Sequence, residues 1–323
     1  MPITTGVAFE TVARFAADVR AGLSQPEQKQ LPFKYFYDDV GSALFEVISV
    51  LPEYGLTRAD ERLLKKYANR IATSIPASVV VAELGSGSGK KARWLLEALS
   101  RLEPVTYCPV ELSSAALAVC ARELSDLDSV RVIALERDFL EGLSEVATRR
   151  EDGQHLLVLF LGSSIGNFEC ENAVSLLTSI RATMKAGDAL LLGTDLEKEV
   201  ARIIAAYDDP LGVTAAFNLN LLARINRELD ADFNLQNFKH HVKFNRQTRD
   251  VEMYLQSTCR QTVRINKAGF STVLSAGESI LTERSHKYSL DEVSAIIQEG
   301  GFRCQEQFVD REWPFAESLM FAE

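Results

Sequence analysis

The stretch Val79-Val80-Val81-Ala82-Glu83-Leu84-Gly85-Ser86-Gly87-Ser88-Gly89 decides the fold. Three β-branched residues lead into an acid, and glycine then recurs at every second position. This order predicts a buried strand that ends in a tight glycine turn and opens onto a helix from Lys90. Glycine accepts positive φ and lets a ligand approach the backbone closely. The stretch is therefore typical of a nucleotide or nucleoside site, although a purely structural turn has the same pattern.

The spacing of the glycines narrows the choice of ligand. They fall as G-x-G-x-G, so the dinucleotide fingerprint G-x-G-x-x-G is not met. The acid directly before the turn favours a nucleoside without a phosphate, such as S-adenosylmethionine. We expect the cofactor to contact the strand end, the turn and the start of the next helix, at Glu83, Gly85, Ser86, Gly87 and Lys91.

Composition excludes several classes of protein. The 323 residues are 46% hydrophobic and 25% charged, as in an ordinary globular protein, and the net charge of −10 argues against a nucleic-acid binder. Five cysteines lie scattered without metal-ligand spacing, which predicts no metal site and a reducing cytoplasm. Residues 1–20 show no signal peptide, and no apolar run approaches the roughly 18 residues of a membrane span.

Strands and helices alternate after the glycine turn. Continuous apolar strands with helices between them indicate a parallel sheet buried on both faces. We therefore predict a doubly wound, Rossmann-like α/β domain, whose ligands bind beyond the carboxyl ends of the strands. The predicted strands are 79–84, 105–110, 130–135, 156–161 and 188–193, with helices at 90–102, from Ser113 to about 124, and at 171–184.

The alternation stops after residue 197. Residues 198–228 read as two helices joined at 209–212, and 240–287 read as strands at 251–255, 261–265 and 279–287. A capping box at Ser289 starts the return to the first pattern. The sequence predicts a cofactor-binding α/β domain of residues 57–197 and 288–323. A second, α+β substrate-binding domain would consist of residues 1–56 and 198–287.

Polar residues follow three of the predicted strands. Glu111 follows the glycine turn at close to the spacing, roughly 20 residues, at which an acid binds a ribose diol. The alternative is an acid that stabilises the N-terminus of the next helix. Asp138 and Phe139 suit an adenine amine and a ring-stacking partner, or a turn acid beside a core ring. Gly162 to Asn167 leave the fourth strand, where an acceptor would meet the cofactor, although Asn also bonds local backbone in turns.

The N-terminal region is rich in aromatic residues, at Tyr35, Phe36, Tyr37, Phe45 and Tyr54. Such clusters usually form a core, but the acids and Gly41-Ser42 make this segment loop-like, and aromatic faces stabilise ammonium groups. Thr57 to Asp60 resemble a capping box for a helix from Arg58. On a later strand Glu283, Ser285 and Lys287 share one face, which by pattern alone is a solvated face.

Taken together, these motifs resemble the histidine-specific Nα-methyltransferases of ergothioneine biosynthesis. The similarity covers nearly the whole chain from Phe33 and involves many separate segments. They are Tyr35-Phe36-Tyr37-Asp38, Gly41-Ser42-x-Leu44-Phe45, Leu51-Pro52-Glu53-Tyr54, Glu83-Leu84-Gly85-Ser86-Gly87, Phe160-Leu161-Gly162-Ser163-Ser164-Ile165-Gly166-Asn167, Leu192-Gly193-Thr194-Asp195-Leu196, Ala206-Tyr207-Asp208-Asp209 and Gly212-Val213-Thr214-Ala215-Ala216-Phe217-Asn218. Bacterial members often carry Asp where Glu111 stands and threonine in the glycine turn, and both forms allow the same ribose contacts.

The resemblance implies an amino-acid pocket. Residues similar to the family's substrate contacts are Tyr54, Gly162, Asn167, Tyr207, Met253, Glu283 and Ser285, with Tyr37 and Phe45 near the amine. In the family the Asn and second Tyr orient the α-carboxylate end, and the Glu and Ser hydrogen-bond the imidazole. The resemblance thus reverses the interpretation of the Glu283 face. Tyr37 and Asn167 are the implied catalytic residues, with a water as the alternative proton relay.

The implied reaction is methyl transfer from S-adenosylmethionine to the α-amine of L-histidine, up to the trimethylated betaine hercynine, with S-adenosylhomocysteine as product. Glu283 and Met253 favour histidine over the tryptophan derivatives used by fungal members. The alternatives are an N-methyltransferase for another amino acid and a cofactor-binding regulator without turnover. The expected partner is a free amino acid, with no metal, nucleic acid or membrane, and the expected state is a cytoplasmic monomer.

Overall fold

The computed structural model describes residues 5–323, with side chains from residue 12 onward. Residues 1–4, which belong to the predicted substrate-binding domain and to the segment expected to lack a signal peptide, lie outside the described residues. The described chain forms ten α-helices: α1 Thr5–Leu23, α2 Asp39–Val50, α3 Gly55–Ser74, α4 Lys90–Ser100, α5 Ser114–Glu123, α6 Phe139–Arg149, α7 Cys170–Ala182, α8 Val200–Tyr207, α9 Val213–Leu229 and α10 Leu290–Glu299.

Fourteen strands accompany these helices within the same described range. They are β1 Lys29–Gln30, β2 Val79–Leu84, β3 Val105–Glu111, β4 Val130–Val132, β5 Leu135–Glu136, β6 His155–Phe160, β7 Ala189–Asp195, β8 Phe238–Asn245, β9 Asp250–Ser257, β10 Gln261–Ile265, β11 Phe270–Leu274, β12 Ser279–His286, β13 Phe302–Asp310 and β14 Phe315–Ala322.

The chain divides into two compact units. Unit 1 contains the described residues up to Ile48 together with Val200–Ser285, and unit 2 contains Ser49–Glu199 and His286–Glu323. The first division falls at Ile48, eight residues before the expected boundary at 56, so Tyr54 lies in unit 2. The binding roles assigned to the two domains stay predictions.

Unit 2 is built on one large sheet. Its strand order is β13-β14-β7-β6-β2-β3-β4, and β5 also pairs with β3. The pairs β4·β3, β3·β2, β2·β6 and β6·β7 are parallel, whereas β14 is antiparallel to both β7 and β13. The doubly wound α/β prediction is confirmed, with an antiparallel hairpin added at one edge.

The topology places a ligand crevice at one point of this sheet. The chain runs from β2 outward through β3 to β4 and then returns to β6 on the other side of β2. The strand order therefore reverses at β2, and crevices of open α/β sheets lie beyond the carboxyl ends of the strands at such a point. Residues 79–84, which end at the glycine turn, are fully buried there.

Unit 1 combines helices with antiparallel strands. Its larger sheet has the order β1-β12-β9-β8, and β10 pairs with β11 as a separate hairpin. The two helices predicted in 198–228 are present as α8 and α9, and they are joined at the predicted turn. Strands β8 and β11 were not predicted. Burial in β8 alternates along the strand, but His240 stands at the inward position between the buried Phe238 and Val242, which weakens the apolar pattern.

The start of α3 was wrongly predicted. The helix begins at Gly55, Tyr54 is its N-cap residue, and Thr57 does not cap it. The guanidinium of Arg58 donates to the carbonyls of Leu51 and Pro52, each at 2.7 Å, and closes the preceding turn. Asp60, the expected capping acid, is instead completely buried.

The loop-like interpretation of the Tyr37–Phe45 segment was also wrong from Asp39 onward. Gly41 and Ser42 lie inside α2, because the carboxylate of Asp38 accepts from the backbone N–H of Gly41 at 2.7 Å. The same oxygen accepts from the Asn220 amide at 2.8 Å. An acid before the first turn stabilises a helix start, which explains why the glycine does not break the helix.

Candidate functional site

The glycine turn of unit 2 has the predicted backbone conformation. Gly85, Gly87 and Gly89 have φ values of 73°, 51° and 72°, in the left-handed region that favours glycine. A Cβ at Gly89 would lie 2.5 Å from the sulfur of Cys120, so a side chain is sterically excluded. At Gly87 no heavy atom lies within 4 Å of a Cβ position. The turn therefore packs against Cys120 at Gly89 and is open to a ligand at Gly87.

Polar groups border this open turn. Glu111, at the end of β3, accepts from the backbone N–H of Gly87 at 3.2 Å and from that of Leu112 at 2.7 Å. Burial raises the pKa of the Glu111 carboxyl above its ordinary value, although these backbone bonds act in the opposite direction. The hydroxyl of Ser86 is buried and has no hydrogen-bond partner among the described residues. A nucleoside with ribose hydroxyls fits this donor and acceptor set.

Phe139 and Asp138 lie at the start of α6. A Cβ at Gly85 would lie 3.4 Å from the ring of Phe139, so the ring adjoins the glycine turn. Its edge meets the ring of Phe160, with centroids 5.4 Å apart. Asp138 caps α6 by accepting from the N–H of Glu141 at 3.0 Å. The ring of Phe139 therefore adjoins the glycine turn, while its stacking on adenine and the contact of Asp138 with adenine both stay predictions.

Glu83 lies beneath the turn, with only 1% of its surface exposed. Its carboxylate accepts a hydrogen bond from the hydroxyl of Tyr107. Burial raises the pKa of Glu83 to about 7, against the opposing effects of the Tyr107 bond and the charge of Lys91. The predicted cofactor contact of Glu83 is not tested by these bonds, which involve its carboxylate inside unit 2.

Lys91 and Gly162 are neighbours, and both contact the carboxylate of Asp60. One oxygen of Asp60, Oδ2, accepts from the backbone N–H of Gly162 at 3.0 Å and lies 3.1 Å from Nζ of Lys91. A Cβ at Gly162, where φ is 71°, would lie 2.6 Å from the same Nζ. A predicted cofactor residue and a predicted substrate residue thus share one buried carboxylate, that of a residue predicted to cap a helix.

The turn after β6 fixes Asn167. Ser163 has a φ of 63°, a conformation that is uncommon for residues other than glycine. Its hydroxyl accepts from the N–H of Asp195 on β7 at 2.8 Å, which stabilises this backbone. A short 3-10 turn from Ser164 to Asn167 follows. A Cβ at Gly166 would lie 2.9 Å from the carbonyl of His286, so the turn packs closely there.

In unit 1, Tyr207 and Ser285 are in direct contact. The hydroxyl of Tyr207 donates to Oγ of Ser285 at 2.8 Å. The carbonyl of Tyr207 is 2.8 Å from Nε2 of His240, and Nδ1 of that ring is 2.9 Å from the amide of Asn218. The histidine thus contacts the backbone of Tyr207, a role that the sequence did not indicate.

Met253 and Glu283 lie on neighbouring strands of the same unit. β9 and β12 are adjacent in the sheet, and the hydroxyl of Thr282 donates to the carbonyl of Met253 at 3.0 Å. Met253 is buried, whereas Glu283 is half-buried. Glu283 and Ser285 are two residues apart on β12 and therefore lie on one face of the sheet. The structure thus places Tyr207, Ser285 and Glu283 around one strand end.

The aromatic N-terminal segment divides into core and partly exposed rings. Tyr35 and Phe36 are buried in unit 1. Tyr37 and Phe45 are half-buried and meet edge to face with centroids 5.8 Å apart. Phe217 of α9, which was not predicted, contacts both at 5.9 and 6.1 Å. Tyr37 and Phe45 therefore form a partly open aromatic surface in unit 1, which packs against the buried ring of Phe217.

The predicted site residues fall on both units. Unit 1 carries Tyr37, Phe45, Tyr207, Met253, Glu283 and Ser285, and unit 2 carries Tyr54, Gly162, Asn167 and the cofactor candidates. Among the residues that the structure describes, no group of three or more His, Cys, Asp or Glu side chains is arranged to hold a metal. In the same part of the chain no helix is both long and apolar enough to cross a bilayer.

The sheet order, the open glycine turn and the acid after the next strand define a nucleoside-binding α/β protein of the doubly wound class. Comparison with known families agrees with this assignment. The family described as "Histidine-specific methyltransferase, SAM-dependent" matches residues 15–322. The chain belongs to this family of S-adenosylmethionine-dependent methyltransferases.

Two bacterial relatives are similar along nearly the whole chain. The chain is 40% identical to a protein of Mycobacterium tuberculosis (strain CDC 1551 / Oshkosh) named histidine N-alpha-methyltransferase, across 94% of this chain and 93% of the relative. Identity to the protein of that name from Mycolicibacterium smegmatis is 39%, with the same coverage. Ergothioneine biosynthesis protein 1 of Neurospora crassa is 33% identical across 61% of this chain and 23% of its own length.

Proposed function

We propose that this chain transfers methyl groups from S-adenosylmethionine to the α-amine of L-histidine, up to the trimethylated betaine, as a step of ergothioneine biosynthesis. The observation that carries the proposal is the family match across residues 15–322, because this range contains every predicted cofactor and substrate residue. Relatives at 39–40% identity are named for this activity.

The turn region of unit 2 fits the cofactor. The open backbone at Gly87 and the orphan hydroxyl of Ser86 leave groups for a ligand to use. Glu111 would accept from the ribose diol, and the ring of Phe139 would lie against the adenine. Lys91, an ammonium beside Gly162, would bind the carboxylate of the methionine part. Gly85 and Glu83 shape the turn, and Asp138 would meet the exocyclic amine.

Substrate recognition depends on groups that match an imidazole and a carboxylate. Glu283 accepts and Ser285 both donates and accepts, so together they satisfy the two ring nitrogens of histidine. Tyr207, Asn167 and the turn at Gly162 would bind the α-carboxylate end. Met253 and Tyr54 supply apolar walls. A buried site built for hydrogen-bonding groups rejects analogues that lack them, which favours histidine over tryptophan derivatives.

The chemistry makes modest demands on the protein. S-Adenosylmethionine, when bound, supplies a methyl group on a sulfonium, which is displaced in line by the amine. Positioning is the main catalytic device in such a step. The α-amine attacks as the neutral form, and because a free α-amine titrates near about 8, no strong base is required. Tyr37 or a water would carry away the proton that each of the first two transfers leaves on nitrogen.

The aromatic surface of unit 1 suits the products. Each methyl group makes the nitrogen bulkier, and the last product is a quaternary ammonium that can no longer donate a hydrogen bond. Aromatic faces stabilise such cations by about 0.5–2 kcal/mol each. Tyr37 and Phe45, which touch Phe217, are the rings that would face the amine. We further propose a cytoplasmic monomer that binds neither nucleic acid nor membrane.

A survey of methyl acceptors tests the function. The purified chain would be incubated with S-adenosylmethionine and each free amino acid, including tryptophan and its derivatives, and the products weighed by mass spectrometry. We expect L-histidine to gain one, two and three methyl groups and other amino acids to gain none. Preferred methylation of another amino acid, or S-adenosylhomocysteine binding without any turnover, would refute the proposal.

A further inference from the structure

The last strand of unit 2 carries a buried acid that the proposed chemistry does not use. Glu317 on β14 has 0% of its surface exposed, within the run Phe315-Ala316-Glu317-Ser318-Leu319. Neither of its oxygens accepts a hydrogen bond from any donor among the described residues. A carboxylate in such surroundings is strongly disfavoured, because it loses its hydration without a replacement.

Glu317 lies beside the turn that carries Gly162. It pairs with Gly193 on β7, and a Cβ at Gly193 would lie 2.9 Å from Oε1 of Glu317. The same Cβ position is 3.1 Å from the backbone nitrogen of Gly162. The missing side chain at position 193 therefore provides the space that the Glu317 carboxyl occupies, next to the end of β6.

Asp60 adjoins this space, because the backbone nitrogen of Gly162, which lies beside Glu317 there, donates to the carboxylate of Asp60. Oδ2 of Asp60 accepts from the N–H of Gly162 at 3.0 Å and lies 3.1 Å from Nζ of Lys91. Oδ1 is buried and accepts from no donor among the described residues. Two adjoining carboxyl groups therefore present three orphan acceptor atoms, and a single shared hydrogen satisfies Oδ1 of Asp60 and one oxygen of Glu317.

We propose that Glu317 is a neutral carboxylic acid that donates its O–H to Oδ1 of Asp60, and that this pair positions Gly162 and Lys91 for methyl transfer. Glu317 is thus a positioning residue that acts through Asp60. The roles of Gly162 at the acceptor and Lys91 at the cofactor rest on the proposed function. The protonation of the pair does not rest on the proposed function, because it follows from the carboxyl groups themselves.

The surroundings decide which member of the pair keeps the proton. Asp60 faces one ammonium and one backbone N–H, and both stabilise a carboxylate. Glu317 faces Asp60, Lys91 and Glu83, without a donor of its own. Burial raises the pKa of Glu317 well above its ordinary value, and the charge of Asp60 raises it further, against the weaker opposing effect of Lys91.

Matched substitutions test the assignment. In Glu317→Gln the amide N–H replaces the acid O–H as donor to Asp60, whereas Glu317→Leu keeps a similar volume and removes the donor. Asp60→Asn makes the side chain at position 60 the neutral member of the pair and leaves Lys91 without its counter-ion. S-Adenosylhomocysteine binding would be measured by calorimetry, and kcat and the two KM values by a methyl-transfer assay with L-histidine, after circular dichroism confirms folding.

We expect Glu317→Gln to bind S-adenosylhomocysteine within about threefold of the unmodified protein, with its kcat retained. Glu317→Leu and Asp60→Asn should bind it about tenfold or more weakly, because each leaves a buried group unpaired. Rescue by Gln but not by Leu is not expected of a group that merely fills space. A strong defect in Glu317→Gln, or none in Glu317→Leu, would overturn the proposal.

A second measurement needs neither cofactor nor a stable Leu variant. Infrared spectroscopy of the cofactor-free protein at pH 9, where Glu83 with a pKa of about 7 is ionised, should show a protonated-carboxyl C=O band. The band should vanish in Glu317→Gln and persist in Glu83→Gln. Absence of the band, or its loss only in Glu83→Gln, would overturn the pair. Failure to methylate histidine would refute the proposed function alone, because the band would still report the pair.

Discussion

The hydroxyl of Tyr207 donates to Oγ of Ser285 at 2.8 Å, and this bond joins the end of α8 to β12 within unit 1. Two residues earlier on β12 stands Glu283, the proposed acceptor for the imidazole. A tyrosine proposed for the carboxylate end of the substrate is therefore directly coupled to a serine proposed for its ring. The two ends of the substrate would be recognised by one connected set of side chains.

Removing either hydroxyl of this pair should weaken histidine binding, and the two effects should not add. Tyr207→Phe and Ser285→Ala each remove one hydrogen bond, worth about 0.5–1.5 kcal/mol. The double variant should lose less than the sum of the two losses, since either change already breaks the shared bond. Calorimetric titration of L-histidine in the presence of S-adenosylhomocysteine measures all four affinities. Strict additivity would show that the two hydroxyls act independently.

His240 should make this pocket sensitive to acid. Nδ1 accepts from the Asn218 amide, so the ring is neutral with its proton on Nε2, directed at the Tyr207 carbonyl. Burial lowers the pKa of His240 below its ordinary value, against smaller opposing effects of the Tyr207 carbonyl, Asp208 and Asp209. Its contribution to stability is therefore complete above the ordinary pKa near 6.5 and is lost as the pH falls through the lowered one.

The experiment compares His240→Gln with His241→Gln, its exposed neighbour on β8. In the unmodified protein we expect the KM for histidine to rise only as the pH falls through the lowered pKa of His240, because a proton on Nδ1 would then face the Asn218 amide. His240→Gln should remove most of this pH dependence and raise the KM at pH 8. His241→Gln should change neither. An identical pH profile in all three proteins would show that His240 does not control Tyr207.

Glu283→Ala should strongly weaken the binding of histidine and leave cofactor binding unchanged. The side chain supplies a charged acceptor for an imidazole N–H, and hydrogen bonds to charged groups are worth about 1.5–3 kcal/mol. Histidine affinity should therefore fall about tenfold to a hundredfold by calorimetry. Glu27→Ala removes an exposed acid of the same unit and is the control. Unchanged histidine affinity in Glu283→Ala would remove this residue from the pocket.

Glu111→Gln should weaken the binding of the cofactor without affecting the binding of the amino acid. The substitution keeps the shape of the side chain but removes the charge that strengthens bonds to ribose hydroxyls. We expect the dissociation constant for S-adenosylhomocysteine to rise about tenfold. Glu136 is the register partner of Glu111 on β5 and is exposed, so Glu136→Gln is a matched control. Equal affinities of both variants would argue that Glu111 only supports the turn.

The alternating part of the fold was predictable, and its departures have local causes. The residues 79–84 form a strand with those limits, and Ser113 caps α5 by accepting from the N–H of Ala116, as expected. A single sequence cannot show that Arg58 closes the turn before α3 or that Asp60 turns inward. Both depend on atoms brought near by the tertiary fold, which overrides the local capping signal.

The candidate site was predictable where motifs are local and was missed where partners are distant. The glycine turn and Glu111 follow from spacing alone. Three separate segments carry Asp60, Gly162 and Glu317, and they meet only once unit 2 has folded. One signal was available: an acid inside the apolar run of β14 is unusual for a buried strand, because an unpaired charge there would be costly. Phe217 and His240 carried no comparable signal.

The buried carboxyl of Glu83 should make the free energy of unfolding depend on pH. This group is almost fully buried, and burial raises its pKa to about 7 from the ordinary 4.5, against the opposing effect of the hydrogen bond that it accepts from Tyr107. A raised pKa means that the folded state binds the proton more tightly than the unfolded state. The resulting stabilisation is complete below about pH 4.5 and is lost as the pH rises through about 7.

Replacement of Glu83 by Gln should therefore change how stability depends on pH. Between pH 4.5 and 8 the unmodified protein should lose on the order of 3 kcal/mol relative to Glu83→Gln, from a shift of about 2.5 pKa units at about 1.4 kcal/mol each. The two tryptophans, Trp94 and Trp313, both lie in unit 2, so their fluorescence during urea unfolding reports this unit. Glu136→Gln should follow the unmodified protein at every pH. If Glu83→Gln did so as well, Glu83 would titrate in the folded state as it does in the unfolded chain, and burial would not control its charge.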